Sequence, residues 1–190
     1  MKKILSFVLT FVILLAVVPF SISAADSGIT LSIDNGNGGT TIEAGAGKVA
    51  KVYVKVSGTS SMSSAAVTIN YDTALELIDA NNGMILPDGS SGAVPYFNDM
   101  SSSAIYGANF GATNGTYIFV ASHNMQNGNV NVSKAQGYFV TLSFKIPDNA
   151  KVGEEYNISI NEDLSSLVVA NITSGGNLQT TNLEFTTTNG

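Results

Sequence analysis

The sequence predicts an all-β protein, a two-sheet antiparallel β-sandwich or jelly roll, and three observations carry that expectation. Apolar and polar residues alternate at period two in many short runs, turn formers separate the runs, and no long stretch keeps the spacing of a helix. Ile29, Leu31 and Ile33 make the first stripe. Val52, Val54 and Val56 then share one side, with Lys51, Tyr53 and Lys55 on the other. Ala65, Val67, Ile69 and Tyr71 oppose Ser64, Ala66, Thr68 and Asn70. Ile118 and Val120 interleave with Tyr117, Phe119 and Ala121. Tyr138, Val140, Leu142, Phe144 and Ile146 form the clearest stripe, Tyr156, Ile158 and Ile160 follow, and Leu183 with Phe185 close the sheet.

Between the runs stand Asp34 to Gly39, Gly58 to Ser61, Asn81-Asn82-Gly83, Asn114-Gly115, Asn127-Gly128 and Pro147-Asp148-Asn149, all rich in residues that turn the chain. Alternation gives each strand one buried and one wet face. Two stretches are less regular: Leu86 to Ser103, a Ser- and Gly-rich connection with room for a short strand near Val94-Phe97, and Leu164 to Ala170, readable as helical turn or strand.

The N-terminus has another purpose. Lys2 and Lys3 precede an apolar run from Ile4 to Phe20, and Ser21 to Ala25 are small, the order of a secretory signal peptide over residues 1–25. A membrane anchor is the rival, but the run is barely long enough and ends at Pro19. The domain is then 26–185, with 186–190 the start of a linker or disordered tail. Without Lys2 and Lys3, six lysines and no arginine face 14 acidic residues, a balance that repels nucleic acid. There is no cysteine, so neither disulfides nor a lipid-modified cysteine enter.

Catalytic and metal chemistry find little support. The single histidine, His123, has no nucleophile elbow near it. Asp34-Asn35-Gly36-Asn37-Gly38-Gly39 puts glycine where a calcium loop needs oxygen ligands, so it reads as a turn. Gly45-Ala46-Gly47-Lys48 lacks the remaining residues of a phosphate loop. Glu154-Glu155 and Glu162-Asp163 are adjacent in sequence, whereas glycosidase carboxylates converge across a cleft. No catalytic residue, metal ligand or cofactor is expected. The absence of tryptophan weakens carbohydrate binding, which remains the alternative function as a carbohydrate-binding module or adhesin.

Ser64 to Asp72, followed by Leu75-Glu76-Leu77-Ile78 and Gly83-Met84-Ile85, resembles the cohesin modules of cellulosome scaffoldins. The resemblance continues through Ala104-Ile105-Tyr106, Tyr117 to Ser122 and Gly137 to Leu142. It implies a nine-stranded jelly roll, extracellular or on a bacterial surface, that recruits an enzyme or scaffoldin through its dockerin. A dockerin is a small helical module that carries its own calcium. The family's platform is the face of its strands 3, 5, 6 and 8. Laid on this chain, that implies partner contacts from Ser64, Ala66, Thr68 and Asn70, from Tyr106, from Phe119, Ala121, His123, Asn124 and Met125, and from Phe139 and Thr141 on strand 8. Commonly studied cohesins carry Asn and Asp where Ser64 and Ala66 stand, and an acid near Asn124, so dockerin specificity does not transfer. The platform expected here is mainly apolar.

Overall fold

β-Branched and aromatic residues fill a pleated, half-buried surface well, and the strands lie where they recur at period two. The computed structural model describes residues 25–82, 104–108, 115–123, 125–126, 129–130 and 133–190. Nine main strands appear among them: β1 Ala25–Asp34, β2 Val49–Ser57, β3 Ser64–Tyr71, β4 Glu76–Asn82, β5 Ala104–Ala108, β6 Thr116–His123, β7 Gly137–Lys145, β8 Ile158–Ile172 and β9 Leu178–Thr188. Two ribbons of two-residue strands accompany them, Ser61–Met62 with Ser133–Lys134 and Met125–Gln126 with Asn129–Val130. No helix occurs among the described residues, and none long and apolar enough to cross a membrane. Residues 1–24, with most of the expected signal peptide, and the connection from 83 to 103 lie outside the described residues.

Backbone hydrogen bonds link the strands in the order β4-β7-β2-β1-β9-β8-β3-β6-β5. Neighbours run antiparallel except β1 and β9, which pair parallel from Ile29 beside Phe185 to Ser32 beside Thr188. First and last strands thus share one sheet, as the jelly roll requires. The sheet folds over at β9–β8 into two facing walls. Ring contacts across the interior show it: Tyr71 on β3 meets Phe144 on β7 at 5.0 Å, and Phe119 on β6 stacks on Phe139 of β7 at 5.2 Å. Neither pair of strands is hydrogen-bonded, so the contacts are made face to face. The core between the walls includes Leu31, Val54, Val67, Ile69, Leu142 and Leu167.

Two irregularities decide which side chains point outward. In β7 the pairing with β2 slips between Tyr138 and Val140, a β-bulge that buries Phe139 and Val140 together. Tyr138, expected in the inward stripe, is half-buried on the outer side, edge-on to Tyr53 at 5.8 Å and beneath the Lys55 ammonium at 5.7 Å. In β8 the chain advances from Asn161 to Ser166 while β3 advances only from Thr68 to Ala66, so the segment 162–165 is looped out. Leu164 to Ala170 therefore belongs to a strand, not a helical turn.

The stretch 186–190, expected as a linker start, is structured. β9 continues to Thr188, the Asn189 side-chain oxygen accepts from the Ile160 amide at 2.8 Å, and Gly190 exchanges backbone bonds with Ile158. Threonines pair well with β1, and the parallel ladder holds them there. Asp34 to Gly39 forms a turn, with Asp34 accepting from the Gly36 amide and Gly36 and Gly38 at positive φ.

Candidate functional site

The wall β8-β3-β6-β5 presents its outer face in rungs set by strand register. Ser122, Ser64 and Val168 share one rung; Val120, Ala66 and Ser166 the next; Ile118, Thr68 and Asn161 the third; Thr116, Asn70 and Ser159 the fourth. Nearly all of these side chains are half-buried, and together they make a surface of small hydroxyls and β-branched apolar groups. On β5, Ile105 pairs with Ser122 and Gly107 with Val120.

This face corrects the sequence expectation in several places. Ser64, Ala66 and Asn70 do lie half-buried on the side opposite Ala65, Val67 and Ile69. Phe119 and Ala121, expected outside, are 0% exposed and point into the core with Tyr117. Both alternating sets of β6 are apolar, so period two alone could not choose between them, and a one-residue change of register exchanges the faces. The aromatic set went inward because Phe119 and Tyr117 need the depth between the walls, whereas Ile118 and Val120 are compact enough for the surface.

Phe139 and Thr141, expected on the same face as Ser64 and Ala66, lie on the other wall. They belong to β7, bonded to β2 and β4, and the strand that lies beside β3 in the wall is β8. Phe139 is buried by the bulge, and Thr141 pairs with Tyr53 and Asn81 on the opposite wall. Thr68 is on the outer side but only 3% exposed, because segment 162–165 lies over it. Tyr106 pairs with Ala121 rather than with a platform residue, and His123 pairs with Ala104 at the end of β6. Met125 falls in the small ribbon beyond β6, and Asn124 lies outside the described residues.

The looped segment is fastened to the platform by polar bonds. The Thr68 hydroxyl donates to the Leu164 carbonyl at 2.9 Å, and the Thr68 amide donates to the Ser165 hydroxyl oxygen at 3.0 Å. Ser165 donates in turn to the Asn161 carbonyl at 2.6 Å, and the Leu164 amide donates to the Asn161 side chain at 3.2 Å. These bonds form a ledge on the face. Leu164 stands on it 65% exposed, beside the exposed carboxylates of Glu162 and Asp163. No lysine or arginine occurs in β3, β5, β6 or β8, and the two ledge acids are the only carboxylates there. Sequence reasoning missed Ile118, Val120, Ser122, Ser166, Val168 and the ledge. The available signal was the run of small hydroxyl residues without charge along 64–70 and 116–122.

Elsewhere, a cavity of about 790 Å³ opens at one end of the sandwich between the loops 40–46 and 150–157, floored by Ile33, Val52, Leu75 and Phe144. Tyr156 at its rim has its pKa raised by desolvation first and by neighbouring Glu154 second. Among the described residues, no group of three or more His, Cys, Asp or Glu side chains gathers as metal ligands.

Nine strands in this order, with small and uncharged side chains on the rungs of one wall, define a jelly-roll module. The cohesin domain family model matches residues 39–183, so the chain belongs to the cohesin family, a family of non-enzymatic binding modules. Among solved structures, the sixth cohesin of Acetivibrio cellulolyticus scaffoldin B, in complex with a Cel5 dockerin mutant, shares 26% identity at a TM-score of 0.56, over 86% of this chain and 96% of that one. The seventh ScaB type I cohesin from Pseudobacteroides cellulosolvens shares the fold at 17% identity and a TM-score of 0.56, covering 85% of this chain and 88% of that one. The OlpA cohesin of Clostridium thermocellum, complexed with the dockerin Doc918, does so at 18% identity and a TM-score of 0.52, covering 85% and 95%. Among proteins with curated functions, none matches the sequence.

Proposed function

We propose that the chain is a secreted, non-catalytic cohesin module that captures the dockerin of an enzyme or scaffoldin on the outer face of β8-β3-β6-β5. The observation that carries this reading is the family match over 39–183, combined with a wall whose central rungs expose Ala66, Val120, Ser166 and Val168 rather than charge. Small side chains let a helix lie close to a sheet, and apolar groups on a nominally wet face favour partner contact. Export follows from the signal-like residues 1–25. The calcium of the complex is the dockerin's own. The chain has no catalytic role, and any polysaccharide is reached through the partner.

The test is binding of the chain to a panel of dockerins, with and without chelator, beside sedimentation with insoluble cellulose. Calcium-dependent dockerin capture with no cellulose binding, and a melting temperature of the isolated chain unmoved by chelator, is the expected result. Cellulose binding without dockerin capture would sink the reading.

A further inference from the structure

We propose that the groove between the loops 40–46 and 150–157 is a second binding site, one that takes a peptide segment in which apolar side chains stand beside lysine or arginine. The groove lies at the end of the sandwich where β1 runs into β2 and β7 into β8, and the inference does not rest on the dockerin-binding reading. The first ground is the surface inside it. At about 790 Å³ the groove has room for a short peptide segment. Ile42 and Ala150 form its walls with Tyr156 and Ile158, all packed against the core but only partly buried. Val152 at the lip is fully exposed. These side chains line one concavity, so the exposed valine extends an apolar strip instead of standing alone.

The second ground is that both loops are held in place. The Glu154 amide donates to the Lys151 carbonyl at 3.1 Å, and the Lys151 amide donates to the Glu154 carboxylate at 2.8 Å. Gly153 supplies the positive φ of 84° that this turn needs, and Val152 stands at its corner. Across the groove, the Lys48 amide donates to the Gly45 carbonyl at 3.1 Å and the Gly47 amide to the Ile146 carbonyl at 3.2 Å. A site formed in advance loses little freedom on binding. The third ground is charge, which selects the occupant. Glu43, Glu154 and Glu155 line the groove against Lys151 alone. Among the described residues, the exposed side chains of Glu43 and Glu155 make no hydrogen bond or ion pair. Carboxylates around an apolar strip favour a ligand that is cationic and apolar at once, and repel an acidic one. A second copy of the chain, at net charge −6, is disfavoured by the same field, and a neutral sugar gains little from it.

The experiment titrates the full chain with capped peptides of sequence Gly-Leu-Lys-Leu-Lys-Gly, with Leu-Glu and Ser-Lys counterparts, and with cellohexaose, following amide shifts by NMR. The Leu-Lys peptide is expected to bind with a Kd below about 1 mM at low salt, at least about tenfold tighter than either counterpart, and to shift Ala44, Val152 and Tyr156. Added salt should weaken it. Glu43→Lys with Glu155→Lys should reverse the preference, so that the Leu-Glu peptide binds and the Leu-Lys peptide does not. Its melting temperature should stay unchanged, because neither side chain is bonded within the fold. The control is Asp163→Lys with Glu184→Lys, the same change of net charge at two exposed positions outside the groove, which should keep the wild-type preference. The proposal is overturned if the Leu-Lys peptide binds no better than its counterparts, or if the control variant loses it as the groove variant does. Cellohexaose shifting the groove amides where the peptides do not would make the site a saccharide site and also overturn it. None of these results bears on dockerin capture by the β8-β3-β6-β5 face, which the dockerin panel tests separately.

Discussion

Adjacent residues on β6 offer a sharp test of register, because arginine at 120 and at 121 should fail in different ways. Ala121 is 0% exposed, with its backbone paired to Ala65 and Tyr106. An arginine there must either bury an unpaired guanidinium, at several kcal/mol, or push the two walls apart. A domain of this size is stable by about 5–15 kcal/mol, so a large part of that margin goes. Val120 sits half-buried on the outer face, with Ala66 and Gly107 as its register neighbours. Both neighbours are small, so an arginine at 120 can extend over them into water and leave the fold intact. Against a dockerin helix the same side chain places a charge at the centre of the contact. A buried unpaired charge in an interface costs about 2–5 kcal/mol, or roughly 30- to several-thousand-fold in Kd. Circular dichroism melts and isothermal titration against the best-binding dockerin measure the two losses separately. Ala121→Arg should be unfolded or far less stable, and Val120→Arg should be folded and binding-deficient. A folded, binding-deficient Ala121→Arg beside a destabilised Val120→Arg would reverse the faces of β6 and refute the reasoning.

The core makes two further predictions. Phe119→Ala removes a fully buried ring and its stack on Phe139, and should cost about 3–5 kcal/mol, or roughly 6–20 °C in melting temperature; a shift under 3 °C by calorimetry would place Phe119 at the surface. Tyr117 is buried with no hydrogen-bond partner for its hydroxyl among the described residues, and burial pushes its pKa up to about 12 from 10.0. The fold therefore holds the proton that the unfolded chain releases: the contribution is complete below pH 10 and is lost as pH rises through 12. Tyr117→Phe should raise stability at neutral pH by about 1 kcal/mol and flatten the alkaline loss seen in urea midpoints. Equal loss in both proteins between pH 10 and 11.5 would exclude Tyr117 as its source.

Most of the fold was legible because alternation is a direct consequence of burying one face of a strand. Val52, Val54 and Val56 face the core as their spacing requires, and so do Ala65, Val67 and Ile69. Leu183 closes the sheet beside β1 and β8. The platform was legible only where one face of a strand was clearly polar, as at Ser64 and Asn70. On β6 both faces are apolar, and volume rather than polarity decided the outcome. On β7 the stripe holds from Val140 onward and fails only before the bulge, at Tyr138: Phe139 and Val140 are neighbours in sequence and both are buried, which no strict alternation permits. Phe139 and Thr141 differ from expectation through topology, since hydrogen-bond partners cannot be read from a strand's own residues.

The two bulges give these misreadings a common physical origin and tie them to the proposed binding face. Without the slip in β7, Phe139 would leave the core, and Phe119 would lose the ring that makes its inward register favourable. β6 would then have less reason to turn Ile118 and Val120 outward. Without the loop in β8, Thr68 would be a solvent-facing hydroxyl in a rung with Ile118 and Asn161, and the face would be flat from end to end. The ledge instead closes the Thr68 rung, leaving the small-residue rungs of Ala66 and Ser64 on one side and Asn70 on the other. On the proposed docking face, Leu164 stands at the flank of the Ala66 and Val120 rung. The shape of this face is set by residues that period-two reading treats as interruptions.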